Sequence, residues 1–150
     1  IKKLLENNVL KNGSNAEISK YLKGLVRFHN NKAKYIVEAR NISNIKQKID
    51  TANIKNTRDW FFKNVKGLGL KEASHFLRNI GFGENLAILD RHILKNLVLL
   101  NVIEKIPDSI TYKNYIEIEN KLTIFAKKIN IPMSHLDFVL WYKETGKVFK

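Results

Sequence analysis

A chain of 150 residues with 44% hydrophobic side chains is long enough for one domain, or for two small helical lobes sharing a cleft. It holds no cysteine, which excludes disulfides, cysteine-based zinc sites and iron–sulfur clusters, and no apolar run approaches the roughly 18 residues a membrane crossing needs. The net charge of +13 points to a polyanionic partner, although lysine and arginine, 27 together, are mostly lysine, and Ile and Asn are also abundant. Part of the charge therefore reflects the residue usage of AT-rich genomes.

The opening stretch, residues 1–10, is amphipathic and lacks the apolar run of a signal peptide. An intracellular location is expected, with no membrane role and a monomeric state. The chain opens on Ile1 rather than Met, so an N-terminal portion is expected to be absent. Residues 1–10 read as a helix ended by the Asn12-Gly13 turn signal. Residues 16–28 follow, with Ile18, Leu22, Leu25 and Val26 at helical spacing behind a Ser14 or Asn15 cap. Helix is next expected over 32–40, with a short piece at 45–49. The best-defined pair covers 58–65 and 72–80, joined by Lys66-Gly67-Leu68-Gly69-Leu70 and terminated by Gly81-Phe82-Gly83.

An apolar helix is expected over 90–100. Pro107 and Asp108 mark a break before a longer helix at 112–128, and Pro132 breaks the chain again. Ser134-His135-Leu136-Asp137 reads as a capping box opening the last helix. No segment alternates with period 2, and there is no repeat or low-complexity linker. The expected class is all-α, one domain over 1–150.

The joint between the paired helices carries the functional reading. Two glycines two apart permit a tight turn whose N–H groups face outward without Cβ obstruction. The helix that follows adds its unpaired first-turn N–H groups and the positive end of its dipole. Together these suit a DNA phosphate. Leu68 would plug the angle between the helices, and Ala73 would let them approach. A bare Gly-x-Gly also fits an ordinary helix connection, so the context decides.

This segment, Val65 to Ala73, resembles the helix-hairpin-helix of the DNA glycosylase superfamily that includes endonuclease III and the 8-oxoguanine glycosylases. Val65-Lys66 stands where that family usually has Leu-Pro, and both glycines are kept. Bifunctional members place a lysine two residues after the second glycine, where Lys71 stands, and an aspartate before a later helix, matched by Asp90 in Leu89-Asp90-Arg91-His92. The finer likeness is to the archaeal-type, or type 2, 8-oxoguanine glycosylases. It rests on Val26 to Ala33, the hairpin, Ile88 to His92, and the end from Leu140-Trp141-Tyr142 through Thr145-Gly146-Lys147, and so runs from about Val26 to Lys150.

The resemblance implies a bifunctional glycosylase and lyase acting on double-stranded DNA that contains a damaged base. Lys71 would attack the sugar as a neutral amine, a form favoured by the helix dipole and by partial burial. Asp90 would stabilise the cationic sugar as the base departs, a role compatible with capping the helix that starts at Arg91. The Schiff base chemistry needs no metal or organic cofactor, and the four histidines show no i,i+4 pair suggestive of zinc.

The flipped base would be held between side chains. His75, four residues after Lys71, could line the pocket floor or simply pack within its helix. Trp141 could stack on the base, although its apolar neighbours favour core packing. Terminal Lys150 would reach the pocket, offering an ammonium and a carboxylate to face N7 of 8-oxoguanine, which carries a hydrogen where guanine has a lone pair. His92 would help hold its loop, and Arg27, Lys66, Gly67, Gly69 and Arg91 are candidate phosphate contacts. Two alternatives stay open: a related glycosylase for oxidised pyrimidines, and a non-catalytic helix-hairpin-helix DNA-binding module. A helical scaffold without a DNA role explains neither Lys71 with Asp90 nor the charge.

Overall fold

A computed structural model of the chain describes residues 8–147. Every regular element among them is helical: α1 Val9–Asn12, α2 Asn15–Leu22, α3 His29–Ala39, a 3-10 turn at Ile45–Lys48, α4 Ile54–Asn64, α5 Leu70–Asn79, α6 Arg91–Leu99, α7 Tyr112–Lys128 and α8 Met133–Thr145. No described helix is long and apolar enough to cross a membrane.

The helix ends follow local chemistry. Ser14 caps α2 in a full capping box, its side chain accepting from the Glu17 N–H while Glu17 accepts from the Ser14 N–H. The expected box at Ser134 is a correction: α8 begins at Met133 with Pro132 in the cap position and no side-chain cap bond. Proline removes a donor that a first turn does not need, so the break is made by Pro132 itself. The expected helix 16–28 stops at Leu22 because Gly24 takes a left-handed φ of 78°, and α3 starts at His29 instead of 32. In α4 the Asn53 side chain accepts from the Asn56 N–H, which starts the helix at Ile54, before the expected 58.

Three groups of buried side chains hold these helices. Ile18, Leu22 and Ala33 close α2 on α3. Phe61, Ala73, Leu77 and Leu86 join α4 to α5, with Leu68 packed against them as the expected plug. Ala73 is completely buried, and the absence of a larger side chain there lets Phe61 meet Phe76 edge-on at 5.0 Å. The largest group runs from Leu70 through Leu89, Ile93, Leu97, Tyr115, Leu122 and Leu136 and gathers α6, α7 and α8. Two charged pairs cross between groups. Arg58 of α4 donates to Glu119 of α7 at 2.6 Å with both side chains buried, and Arg78 of α5 is paired with Asp137 of α8.

Candidate active site

The hairpin loop is shaped by one glycine more than the other. Gly67 has φ +84°, and a Cβ there would sit 2.5 Å from Cδ2 of Tyr35 on α3. Both backbone conformation and the aromatic ring therefore demand glycine. Gly69 has φ −76° and ψ 175°, extended backbone open to any residue, and serves as the N-cap of α5. Of the two hairpin glycines, Gly67 is the one whose backbone requires glycine. Tyr35 is the partner the sequence reading missed, since nothing local ties residue 35 to residue 67.

Lys71 is the second residue of α5, with 40% of its side chain exposed and its Nζ 3.1 Å from Glu72 Oε1. The side chain is partly buried, and the amine is held by a neighbouring carboxylate. Glu72 also leans over the helix start, its Oε2 lying 2.8 Å from where a Gly69 Cβ would be. An acidic side chain in the first turn suits the helix dipole.

Lys71 lines a cleft of about 240 Å³ together with Phe62, Gly69, Leu70, Glu72, Leu89, Ile110, Tyr112 and Tyr115. The Phe62 and Tyr112 rings lie 6.1 Å apart at its wall. Sequence reasoning did not name Phe62, Ile110, Tyr112 or Tyr115. The spacing of Tyr112 and Tyr115, three apart on one helix face, was the one available signal.

Leu89 of that cleft immediately precedes Asp90. Asp90 is half-buried and caps α6, its Oδ1 accepting from the His92 and Ile93 N–H groups at 2.9 Å each. Two N–H donors on one oxygen hold the carboxylate in place. The His92 ring meets Trp141 edge-on, centroids 5.2 Å apart at 89°. Trp141 is half-buried, so it stands beside the α6 start instead of deep in the core. His75 is half-buried one turn beyond Lys71, and neither His75 nor Trp141 is among the walls of the Lys71 cleft.

Of the candidate phosphate contacts, Lys66 is 69% exposed and lies 3.2 Å from Glu38, while Arg91 is exposed with its Nε donating to His92 Nε2 at 3.4 Å. The Arg27 guanidinium sits 5.5 Å over the Phe28 ring, and Phe28 is itself 68% exposed with a left-handed φ of 56°. Lys150 lies outside the described residues. Among the described residues no group of three or more His, Cys, Asp or Glu could hold a metal ion.

This geometry has close counterparts. The family model described as 8-oxoguanine DNA glycosylase matches residues 1–131. An 8-oxoguanine DNA glycosylase/AP lyase of Fusobacterium nucleatum is 48% identical over the whole chain, which spans 72% of that protein. A Methanocaldococcus jannaschii protein of the same name is 45% identical over 89% of the chain and 65% of its own length. The crystal structure of the M. jannaschii 8-oxoguanine glycosylase/lyase with a 15mer DNA containing 8-oxoguanine superposes with a TM-score of 0.88 at 41% identity, covering 99% of this chain and 72% of that one. The Thermotoga maritima 8-oxoguanine DNA glycosylase gives 0.84 at 32% identity, covering 99% and 71%. With the family match through the hairpin, Lys71 and Asp90, the chain belongs to the 8-oxoguanine DNA glycosylases of the helix-hairpin-helix superfamily.

Proposed function

We propose that this chain excises 8-oxoguanine from duplex DNA and cleaves the strand at the abasic site it creates, with Lys71 as nucleophile. The observation that carries the reading is the placement of Lys71 at the mouth of α5, on a cleft whose wall includes the residue before the Asp90 cap. The neutral amine attacks C1′, the C1′–N9 bond breaks, and the departing base takes up a proton. Asp90, fixed by two N–H groups, faces the positive charge that develops on the sugar. Ring opening gives an imine between Lys71 and C1′. Loss of a C2′ proton then expels the 3′ phosphate, and water releases the lysine.

The hairpin and its flanking cations would position the duplex through phosphates, while the cleft reads the base. Lys71 must first leave Glu72, and a phosphate approaching the α5 start would displace that carboxylate by repulsion. Trp141 beside the α6 start, His75 and Lys150 are proposed contacts to the part of the flipped base that lies beyond the cleft. The chain is proposed to act as a monomer inside the cell, where chromosomal DNA lies.

A panel of duplexes tests the substrate. Single-turnover excision should favour 8-oxoguanine over thymine glycol or dihydrouracil by at least about 100-fold, the discrimination a site built around one hydrogen bond pattern provides. Faster release of the pyrimidines would assign the chain to the oxidised-pyrimidine alternative. Binding without excision of any lesion would leave a DNA-binding module.

A further inference from the structure

We infer that Tyr115 and Glu119 act as positioning residues, a clamp on Ala87 that sets Asp90 relative to Lys71. The inference rests on the catalytic reading above. Tyr115 and Glu119 are four apart on α7, on one face, and both are buried. The Ala87 N–H donates to Glu119 Oε1 at 2.8 Å, and the Tyr115 hydroxyl donates to the Ala87 carbonyl at 2.6 Å. One helix face thus holds both backbone groups of a single residue, three positions before Asp90. The link onward is short, because the Asp90 N–H donates to the Ile88 carbonyl at 2.9 Å.

The same hydroxyl also reaches the nucleophile's helix. Ser74 Oγ, buried on α5 three residues after Lys71, lies 3.4 Å from Tyr115 Oη. The phenol proton is committed to Ala87, so Ser74 is the donor in this second bond. Burial pushes the Tyr115 phenol well above its ordinary range, which keeps that proton in place at any working pH. Tyr115 therefore touches the helix that carries Lys71 and the segment that carries Asp90 through one oxygen atom.

Glu119 is anchored in turn. Arg58 donates to it at 2.6 Å, with its guanidinium 5.6 Å from the Tyr115 ring, and Lys55 stands 3.5 Å away on the outer side. A buried ion pair is commonly no more stable than an apolar replacement of the same shape. What an apolar replacement cannot supply is an acceptor for the Ala87 N–H, which is buried with residues 86–89. The Glu119 carboxylate is thus tied to Ala87 as well as to Arg58.

A double-mutant cycle tests this. Tyr115→Phe removes the hydroxyl and keeps the ring. Acting through Asp90, it should lower single-turnover 8-oxoguanine excision about 10- to 100-fold, the order a roughly 1 Å displacement costs, with the Kd for the duplex unchanged within about twofold. In an Asp90→Asn background the same change should lower excision less than about threefold. Rates are taken well below each variant's melting temperature. Should Tyr115→Phe fail to fold, Ser74→Ala, which removes only the tie to α5, carries the same cycle with a smaller drop. Equal falls in both backgrounds, or no fall in either, would overturn the clamp. A wild-type protein that excises nothing would instead remove the catalytic reading.

Discussion

Replacing Gly67 with alanine has a cost that follows from its coordinates. At φ +84° an L side chain sits in the left-handed region, a penalty of about 1–2 kcal/mol. The new Cβ would meet Tyr35 Cδ2 at 2.5 Å and two further ring atoms at 3.2 Å, so the ring must move. Overpacking of that kind adds about 1 kcal/mol, and Gly67→Ala is expected to lose about 2–3 kcal/mol in all. Gly69→Ala is the internal control. Its backbone is extended, and its Cβ would approach only the carboxylate end of Glu72, which can swing away. That variant should lose no more than about 1 kcal/mol, the cost of alanine in place of glycine at an N-cap. Urea unfolding at constant slope measures both. Adding Tyr35→Ala to Gly67→Ala should relieve the overlap at residue 67 and leave the left-handed penalty, a coupling that the cycle of single and double variants reads. Anisotropy with an undamaged duplex should show weaker binding for Gly67→Ala, as the loop leaves its place against α3, and little change for Gly69→Ala. Equal destabilisation by the two alanines would refute the reasoning.

Further outcomes follow from the site and its supports. Asp90→Asn should slow excision by about 100- to 1,000-fold, yet unfold within about 0.5 kcal/mol of wild type because asparagine caps a helix as well as aspartate. Wild-type excision by the folded variant would leave Asp90 as a cap alone. Arg78→Ala should cost about 2 kcal/mol, since it removes one charged hydrogen-bond partner of Asp137 and uncovers the Phe138 ring on which the guanidinium lies. A loss under about 1 kcal/mol in the denaturant midpoint would contradict that. The raised Tyr115 phenol predicts a pH effect with a definite sign. Above about pH 10 the unfolded chain gives up that proton and the folded chain keeps it, so stability is whole below pH 10 and falls by about 1.4 kcal/mol per unit above it. Between pH 10 and 11, wild type should therefore lose about 1 kcal/mol more than Tyr115→Phe, and equal losses would refute the assignment.

What could be read from the sequence was what neighbouring residues impose on one another. Asp90 announces itself as a cap, Ser14 likewise, and Lys71 is placed by its distance from the hairpin glycines. Ala73 and Leu68 take the packing roles their size suggests. The rest depends on residues brought together from distant positions. Arg58 and Glu119 are residue types usually found at the surface, and only the fold shows them paired in the interior. Phe62 and the stretch from Ile110 to Tyr112 line the cleft with Lys71, three separate segments that no local pattern joins. Gly67 and Gly69 look equivalent in sequence because the difference between them is a dihedral angle and a ring on α3. The Ser134 box failed where a proline two residues earlier had already set the helix start.

The account stands on Lys71 becoming covalently joined to DNA. Borohydride reduction during turnover of an 8-oxoguanine duplex, followed by proteolysis and mass mapping of the adduct, reads this directly. The account predicts one crosslinked peptide with the sugar remnant on Lys71, and no adduct from Lys71→Gln, which still binds the duplex. An adduct mapped to any other amine, or an undiminished yield from Lys71→Gln, would contradict it.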